Sequence, residues 1–404
     1  MNGHLKSYQA ELETLGPVFI GSGHLYTRKE YMFLEYGTKI GILDMQKTYA
    51  LMRRRRKTEA FERYLLNEPS PSQRSWQRNA PYRGYEDLSR LALSAWLTRN
   101  DIRVSEILPC MKYVADAGTN RLNEQKGIKL QILEFIKDPM GCPYVPGSSI
   151  KGMLRTILLT DQICSERGKL DPSLRKLESA VDFSRNSYEK VKRTRFLRNE
   201  IENLEADAFH TLNRNRERFM DQVNDSLAGL IISDSEPLSV NDLVMCQKVD
   251  RYVPGFTDKK GQRVEFRYMP LIRECLRPGT KIRFTVSVNS ALCDMTPEKL
   301  QKAIANFNAV YWEQFVSKFK TVPRRDDSVY LGGGTGFGTK TIIYPALREK
   351  SAKDVPVIFA KTGVPQNHQH GKDLSLGVSP HTLKETLYNG KTYLMGECRL
   401  HIIE

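Results

Sequence analysis

The chain has 404 residues, 40% of them hydrophobic, enough to fill ordinary cores in two domains or three. Lysine and arginine number 62 against 47 aspartates and glutamates, and this balance of +15 points to an anionic partner, nucleic acid first. There is no apolar run of ~20 residues and no secretory leader, which points away from a membrane, and the seven cysteines are scattered without a CxxC pair, which suits free thiols in a reducing cytosol and argues against a zinc site.

From the N-terminus, "YQAELETLGPVFIGSG" reads as a strand running into a Pro/Gly loop. "KEYMFLEY" and "TKIGIL" form a hairpin about Gly37, and Asp44 caps a helix with Met45, Tyr49 and Met52 on one face. A Pro/Ser/Arg-rich stretch at 67–84 reads as a flexible loop, and a short helix follows near 88–97. "KLQILEFIKDPMGCPYVPG" reads as two short strands about a turn, and Ile150, Met153, Leu154, Ile157 and Leu158 then recur at helical spacing. Residues 168–228 are polar and helical in character, an inserted helical segment whose basic runs most simply form solvated faces. Strands resume in "AGLIISDSEPL", "DLVMCQKVDRY", "VEFRYMPLIREC" and "KIRFTVSVN". Thr296 and Pro297 open the clearest helix, with Leu300, Ile304, Phe307, Tyr311 and Phe315 as its buried stripe. Strands, a helix and a glycine-rich return appear in both halves. The fold class is α+β, not a doubly wound parallel sheet.

Three glycine-rich loops each adjoin a predicted strand. The first holds Gly21, Ser22, Gly23 and His24. The second is "YVPGSSIKGMLR". There Gly147, Ser148 and Ser149 open a helix, the serines are candidate caps, and the free N–H groups with Lys151 and Arg155 can face a phosphate. The third, "YLGGGTGFGTKTIIY", contains Gly332, Gly333, Gly334, Gly336, Phe337, Gly338 and Lys340 between two strand-like ends. It fits neither a Walker loop nor a G-x-G-x-x-G fingerprint, so it is either a flexible hairpin or bulged turn, or a different phosphate cradle. Phe337 could stack on a base or plug the loop from below. His368 and His370 in "QNHQHG" read as a solvated pair, since no nearby cysteine completes a metal-ligand set.

"VFIGSG", "YVPGSSIKGMLR" and "GGGTGFG" together resemble the RAMP superfamily of CRISPR proteins, and the resemblance spans most of the chain. It implies RRM-like, ferredoxin-like domains: 1–167, then a helical insertion at 168–228, then 229–404 with the glycine loop. "GPVFIGSGHLYTRKEY", "GILDMQK" and "IISDSEPL" are similar to the type III-A (Csm) subunit that caps the backbone filament at the 3′ end of the crRNA. That resemblance implies a non-catalytic, cytoplasmic, RNA-binding subunit of an antiviral ribonucleoprotein that supports crRNA 3′-end maturation. It implies crRNA and the other complex subunits as partners, above all the repeated RAMP backbone subunit, with target RNA and host nucleases as further partners. No cofactor, metal or catalytic residue is expected. HD and GGDD motifs are absent, and Phe19 stands where many RAMP proteins carry a histidine. The alternative is a RAMP endoribonuclease that processes precursor crRNA. It would need His24 or Asp44 as its chemical group, although capping already explains Asp44.

Overall fold

The computed structural model describes residues 4–67, 91–118, 130–186 and 189–403. The loop read at 67–84 lies, from residue 68 on, outside the described residues. Two sheets organise the molecule. The first is antiparallel, in the order β11-β14-β1-β10-β7. Its strands are β1 (Leu5–Thr14), β7 (Leu230–Ile232), β10 (Lys281–Asn289), β11 (Ser328–Tyr330) and β14 (Glu397–Ile403). β1 is central: it pairs with β10 from Leu5↔Asn289 to Glu13↔Lys281, and with β14 from Gln9↔Ile403 to Thr14↔Cys398.

Helices α4 (Gly147–Ser165) and α7 (Pro297–Gln314) pack together and share one core with this sheet. Both helices carry apolar residues every three or four positions. Ile150, Leu154 and Ile157 on α4, and Leu300, Ile304 and Phe307 on α7, are buried with Leu12, Ile282 and Phe284. The path β1–α4–β7–β10–α7–β14, laid out as β14-β1-β10-β7, is the ferredoxin-like arrangement. It is assembled from both ends of the chain, because β1 is held between strands that arrive some 270 and 390 residues later.

Five of the nine strands of the second sheet come from the long excursion between β1 and α4. Its order is β2-β6-β9-β8-β5-β4-β3, with β12 along β8 and β13 along β12. The strands are β2 (Gly21–Tyr26), β3 (Tyr31–Leu34), β4 (Lys39–Leu43), β5 (Met111–Asp116), β6 (Gln131–Phe135), β8 (Leu243–Tyr252), β9 (Phe266–Leu276), β12 (Thr382–Tyr388) and β13 (Lys391–Leu394). β3 and β4 form the expected hairpin. Asp44 caps α1 (Met45–Arg54) by accepting from the Lys47 N–H at 3.1 Å. With α2 (Thr58–Leu66) and α3 (Leu93–Arg99), α1 closes a satellite core in which Tyr64 stacks on Trp96.

Within the segment read as a helical insertion, α5 (Arg167–Ser184) and α6 (Arg198–Phe209) pack on each other and bury Leu170, Leu174, Leu177 and Leu204 in the main core. Three local readings are corrected. α4 begins at Gly147 with Pro146 as its cap, so neither Ser148 nor Ser149 caps it. "DPMGCPY" contributes only a bridge, Lys137↔Pro143, because its turn leaves no room for a ladder. "TIIY" ends in a helix, α8 (Ile343–Leu347), instead of a strand. Pro345 sits in its first turn, where the missing N–H has no cost, and burial of Ile343, Tyr344 and Leu347 overrides their strand propensity. α9 (Ser351–Lys361) follows. Among the described residues no helix is long and apolar enough to cross a membrane.

Candidate nucleic-acid interface

The first and third glycine loops meet. Gly332 forms a parallel bridge with Phe19, and the Gly333 N–H donates to the Phe19 carbonyl at 2.6 Å. This contact forces bare backbone: a Cβ at Gly332 would stand 2.2 Å from the Phe19 oxygen. Gly332, Gly334 and Gly336 all have positive φ, at 83°, 87° and 100°. The loop is therefore a fixed turn docked on Phe19, and it is not a flexible hairpin. Thr335 and Thr339 are buried beneath it and share a hydroxyl–hydroxyl hydrogen bond of 2.8 Å.

Basic side chains from three strands converge on this loop. Arg273 of β9 is 9% exposed, and its Nε finds no hydrogen-bond partner among the described residues. Its guanidinium lies 5.7 Å from the Phe19 ring centre, and a Cβ at Gly334 would approach its Cζ to 3.0 Å. Lys384 of β12 flanks Gly336, where a Cβ would come within 3.1 Å of its Cγ. Lys248 of β8 and Lys340 complete the group. Asp250 pairs with Lys384 at 2.8 Å and with Lys248 at 3.6 Å. Burial, then the Lys384 charge, lowers the Lys248 ammonium below its ordinary value. Loss of solvent, then the Arg273 charge, does the same to Lys340. Arg273 is itself lowered by burial. These cations carry a desolvation and repulsion cost that an anion among them would relieve.

The other candidate residues sit elsewhere. Gly21, Ser22, Gly23 and His24 lie on the exposed edge strand β2, next to the cradle through the Phe19 ring, which a Cβ at Gly21 would touch at 3.1 Å. Ser22 donates to Glu134 at 3.0 Å, and His24 Nε2 lies 3.8 Å from Glu30. The second loop faces the β7 edge, across the first sheet from β11. The Gly147 N–H donates to Asp234 at 2.7 Å, and Lys151 Nζ to the Leu227 carbonyl at 2.8 Å. Arg155 bridges Glu205 at 2.9 Å and Asp225 at 2.7 Å. Phe337 packs edge-on against Phe359 and Tyr344, below the loop. Gly338 is held by Tyr311, whose ring a Cβ would meet at 2.7 Å.

Arg273, Lys248 and Lys384 went unnoticed in the sequence. The available signal was a cation inside a strand run, as in "PLIREC" and "CQKVD", where a charge among buried neighbours calls for a partner. His370 also departs from the solvated pair read for it: its Nδ1 lies 2.9 Å from Asp373, and its ring is packed beside His381.

A model of the RAMP superfamily matches residues 11–341. The chain is 31% identical over 412 residues to the Mycobacterium tuberculosis protein named "CRISPR system Cms protein Csm5", covering 100% of this chain and 99% of that one. It is 25% identical to the Enterococcus italicus protein of the same name, over 98% and 97% of the two chains. A chain in the cryo-EM structure of a Csm–crRNA–target RNA ternary complex of a type III-A CRISPR-Cas system superposes with a TM-score of 0.58 at 18% identity, over 98% of this chain and all of the other. The chain belongs to the RAMP superfamily and, within it, to the Csm5 family.

Proposed function

We propose that this chain is an RNA-binding subunit of a type III-A CRISPR ribonucleoprotein, holding the 3′ region of the crRNA and capping the backbone filament. The carrying observation is Arg273, a nearly buried guanidinium whose Nε has no hydrogen-bond partner among the described residues, beside a glycine loop of positive-φ residues. Burying such a group without an anion costs free energy, and a phosphate in the loop would supply the missing acceptor. Contacts from Arg273, Lys340, Lys384 and loop N–H groups go to the RNA backbone and carry no sequence preference, as a guide carrier requires. The relatives' shared name, and the crRNA of the complex in which the similar chain sits, support the same reading.

The chain holds the RNA end and does not cut it. His24 sits on an exposed edge strand beside Glu30, and the Asp44 carboxylate is engaged as a helix cap. Trimming of the 3′ end then falls to other nucleases, with the backbone subunit as the neighbour in the filament. The test is photo-crosslinking to RNA carrying 4-thiouridine along its 3′ region, with peptide mapping. Crosslinks to peptides spanning 331–341 and 266–276 are expected. Crosslinks confined to 147–165 would overturn the assignment of the cradle.

A further inference from the structure

The turn-rich segment before β12 gathers three metal-ligating side chains apart from the glycine cradle. Asp373 is fully buried, at 0% exposure. Its Oδ1 lies 2.5 Å from His381 Nδ1, and its Oδ2 lies 2.9 Å from His370 Nδ1. The Ser379 hydroxyl is 2.5 Å from the same Oδ2. The ligand atoms of His370, Asp373 and His381 all fall within 4.8 Å of one another. Aromatic rings wall the group: Phe256 lies against His381 at 4.5 Å and 14°, and Phe359 against His370 at 4.5 Å.

We infer that His370, Asp373 and His381 form a structural site for a divalent transition-metal ion of the zinc class. Two imidazole nitrogens and one carboxylate are a standard donor set for that ion, and an apolar wall raises affinity by excluding water. A tetrahedral ion with ligands about 2.0–2.2 Å away needs ligand atoms about 3.3 Å apart. The two His–Asp spacings, 2.5 and 2.9 Å, are tighter than that, while the set as a whole lies within 4.8 Å, so the side chains readjust locally to admit the ion. Ligation through Nδ1 places each imidazole proton on Nε2, and the Ser379 hydroxyl or a water takes the fourth position. All three ligands come from a short stretch with few strands or long helices, 370–381, whose folding the ion would fasten. The site also bears on the cradle. His370 packs on Phe359, and Phe359 on Phe337 of the glycine loop, so the ion would brace that loop from below.

The experiment uses the full chain, stripped with EDTA, reloaded with Zn²⁺ and desalted. Metal is counted by plasma mass spectrometry, and the melting temperature is taken with and without the ion. The wild type is expected to keep about one zinc per chain and to melt at least about 5 °C higher when loaded. His370→Ala, at the more exposed ligand, is expected to lose the zinc and the thermal shift. Cys164→Ser, at an exposed thiol, is expected to keep both. Co²⁺ loading supplies a second readout, a visible absorption band present in the wild type and absent in His370→Ala. Wild-type protein retaining less than about a tenth of an equivalent, or His370→Ala retaining as much zinc as the wild type, would overturn the site and leave a hydrogen-bonded His–Asp–His cluster.

Discussion

The glycines of the third loop divide into two kinds, and substitution separates them. At Gly332 and Gly338 a Cβ would strike the Phe19 carbonyl and the Tyr311 ring, so these glycines serve packing. At Gly334 and Gly336 a Cβ meets only side chains, the Arg273 guanidinium at 3.0 Å and Lys384 Cγ at 3.1 Å, and the demand is for positive φ beside cations. Gly334→Val with Gly336→Val is expected to weaken single-stranded RNA binding at least about tenfold, by blocking phosphate approach, in a protein that remains folded. Filter binding alongside far-UV circular dichroism checks this. Unchanged affinity would remove the loop from the interface. A second prediction concerns Glu134, which accepts from Tyr26 at 2.5 Å and Ser22 at 3.0 Å and lies 3.5 Å from Lys137. Burial raises its carboxyl, but these partners together outweigh burial and hold it below its ordinary value. A lowered folded-state value means stability present above the unfolded value and lost as pH falls through the folded one. Glu134→Gln is therefore expected to be less stable than the wild type at pH 7, with the gap closing below about pH 4. Urea melts at the two pH values read it, and a gap that stays constant with pH would contradict it.

At the scale of elements, α4 is the clearest case of a helix whose sequence was easier to read than its surroundings. The 3.6-residue spacing of Ile150, Leu154 and Ile157 announces it, and those residues are buried as the pattern requires. Its N-terminus reads from the sequence as a place for an anion, because Gly147, Lys151 and Arg155 fit that chemistry. Nothing local shows that Asp234, Leu227, Glu205 and Asp225, 50 to 87 positions away, supply acceptors to the same groups. Those partners fix the first turns of α4 to α6 and to the segments on either side of β7. Arg155→Ala leaves Asp225, which is nearly buried, without its cation, and a loss of about 2 kcal/mol in unfolding free energy is expected. Chemical denaturation measures it, and Asp225→Asn in the same background should recover part of the loss. A full loss of about 2 kcal/mol in both variants would show that Arg155 acts through packing on Phe209 instead of through charge.

For the molecule as a whole, the α+β class, the RAMP resemblance and the positions of the three loops were legible, because glycine, proline and apolar spacing are local signals. The closing of the first sheet was not. β1 finds β10 and β14 across nearly the whole chain, and β11 lies at one edge with β7 at the other. That topology joins the first loop to the third and sends the second to the far edge. In the second sheet, the pairing of β8 with β9 and with β12 brings Arg273, Lys248 and Lys384 to one place, and strand pairing across the chain leaves no trace in composition. The charge balance of +15 sets the long-range attraction, and the cradle sets where the backbone is held. These two parts separate in the salt dependence of binding to short single-stranded RNA, where each neutralised phosphate contributes about −0.7 to the slope of log K against log salt. The most direct measurement compares that slope for the wild type and for Arg273→Gln with Lys340→Gln, at matched melting temperature. Two lost phosphate contacts predict a slope shallower by about 1.4 and weaker binding at every salt concentration. An identical slope and affinity in the folded variant would contradict the cradle as the place where this protein holds RNA.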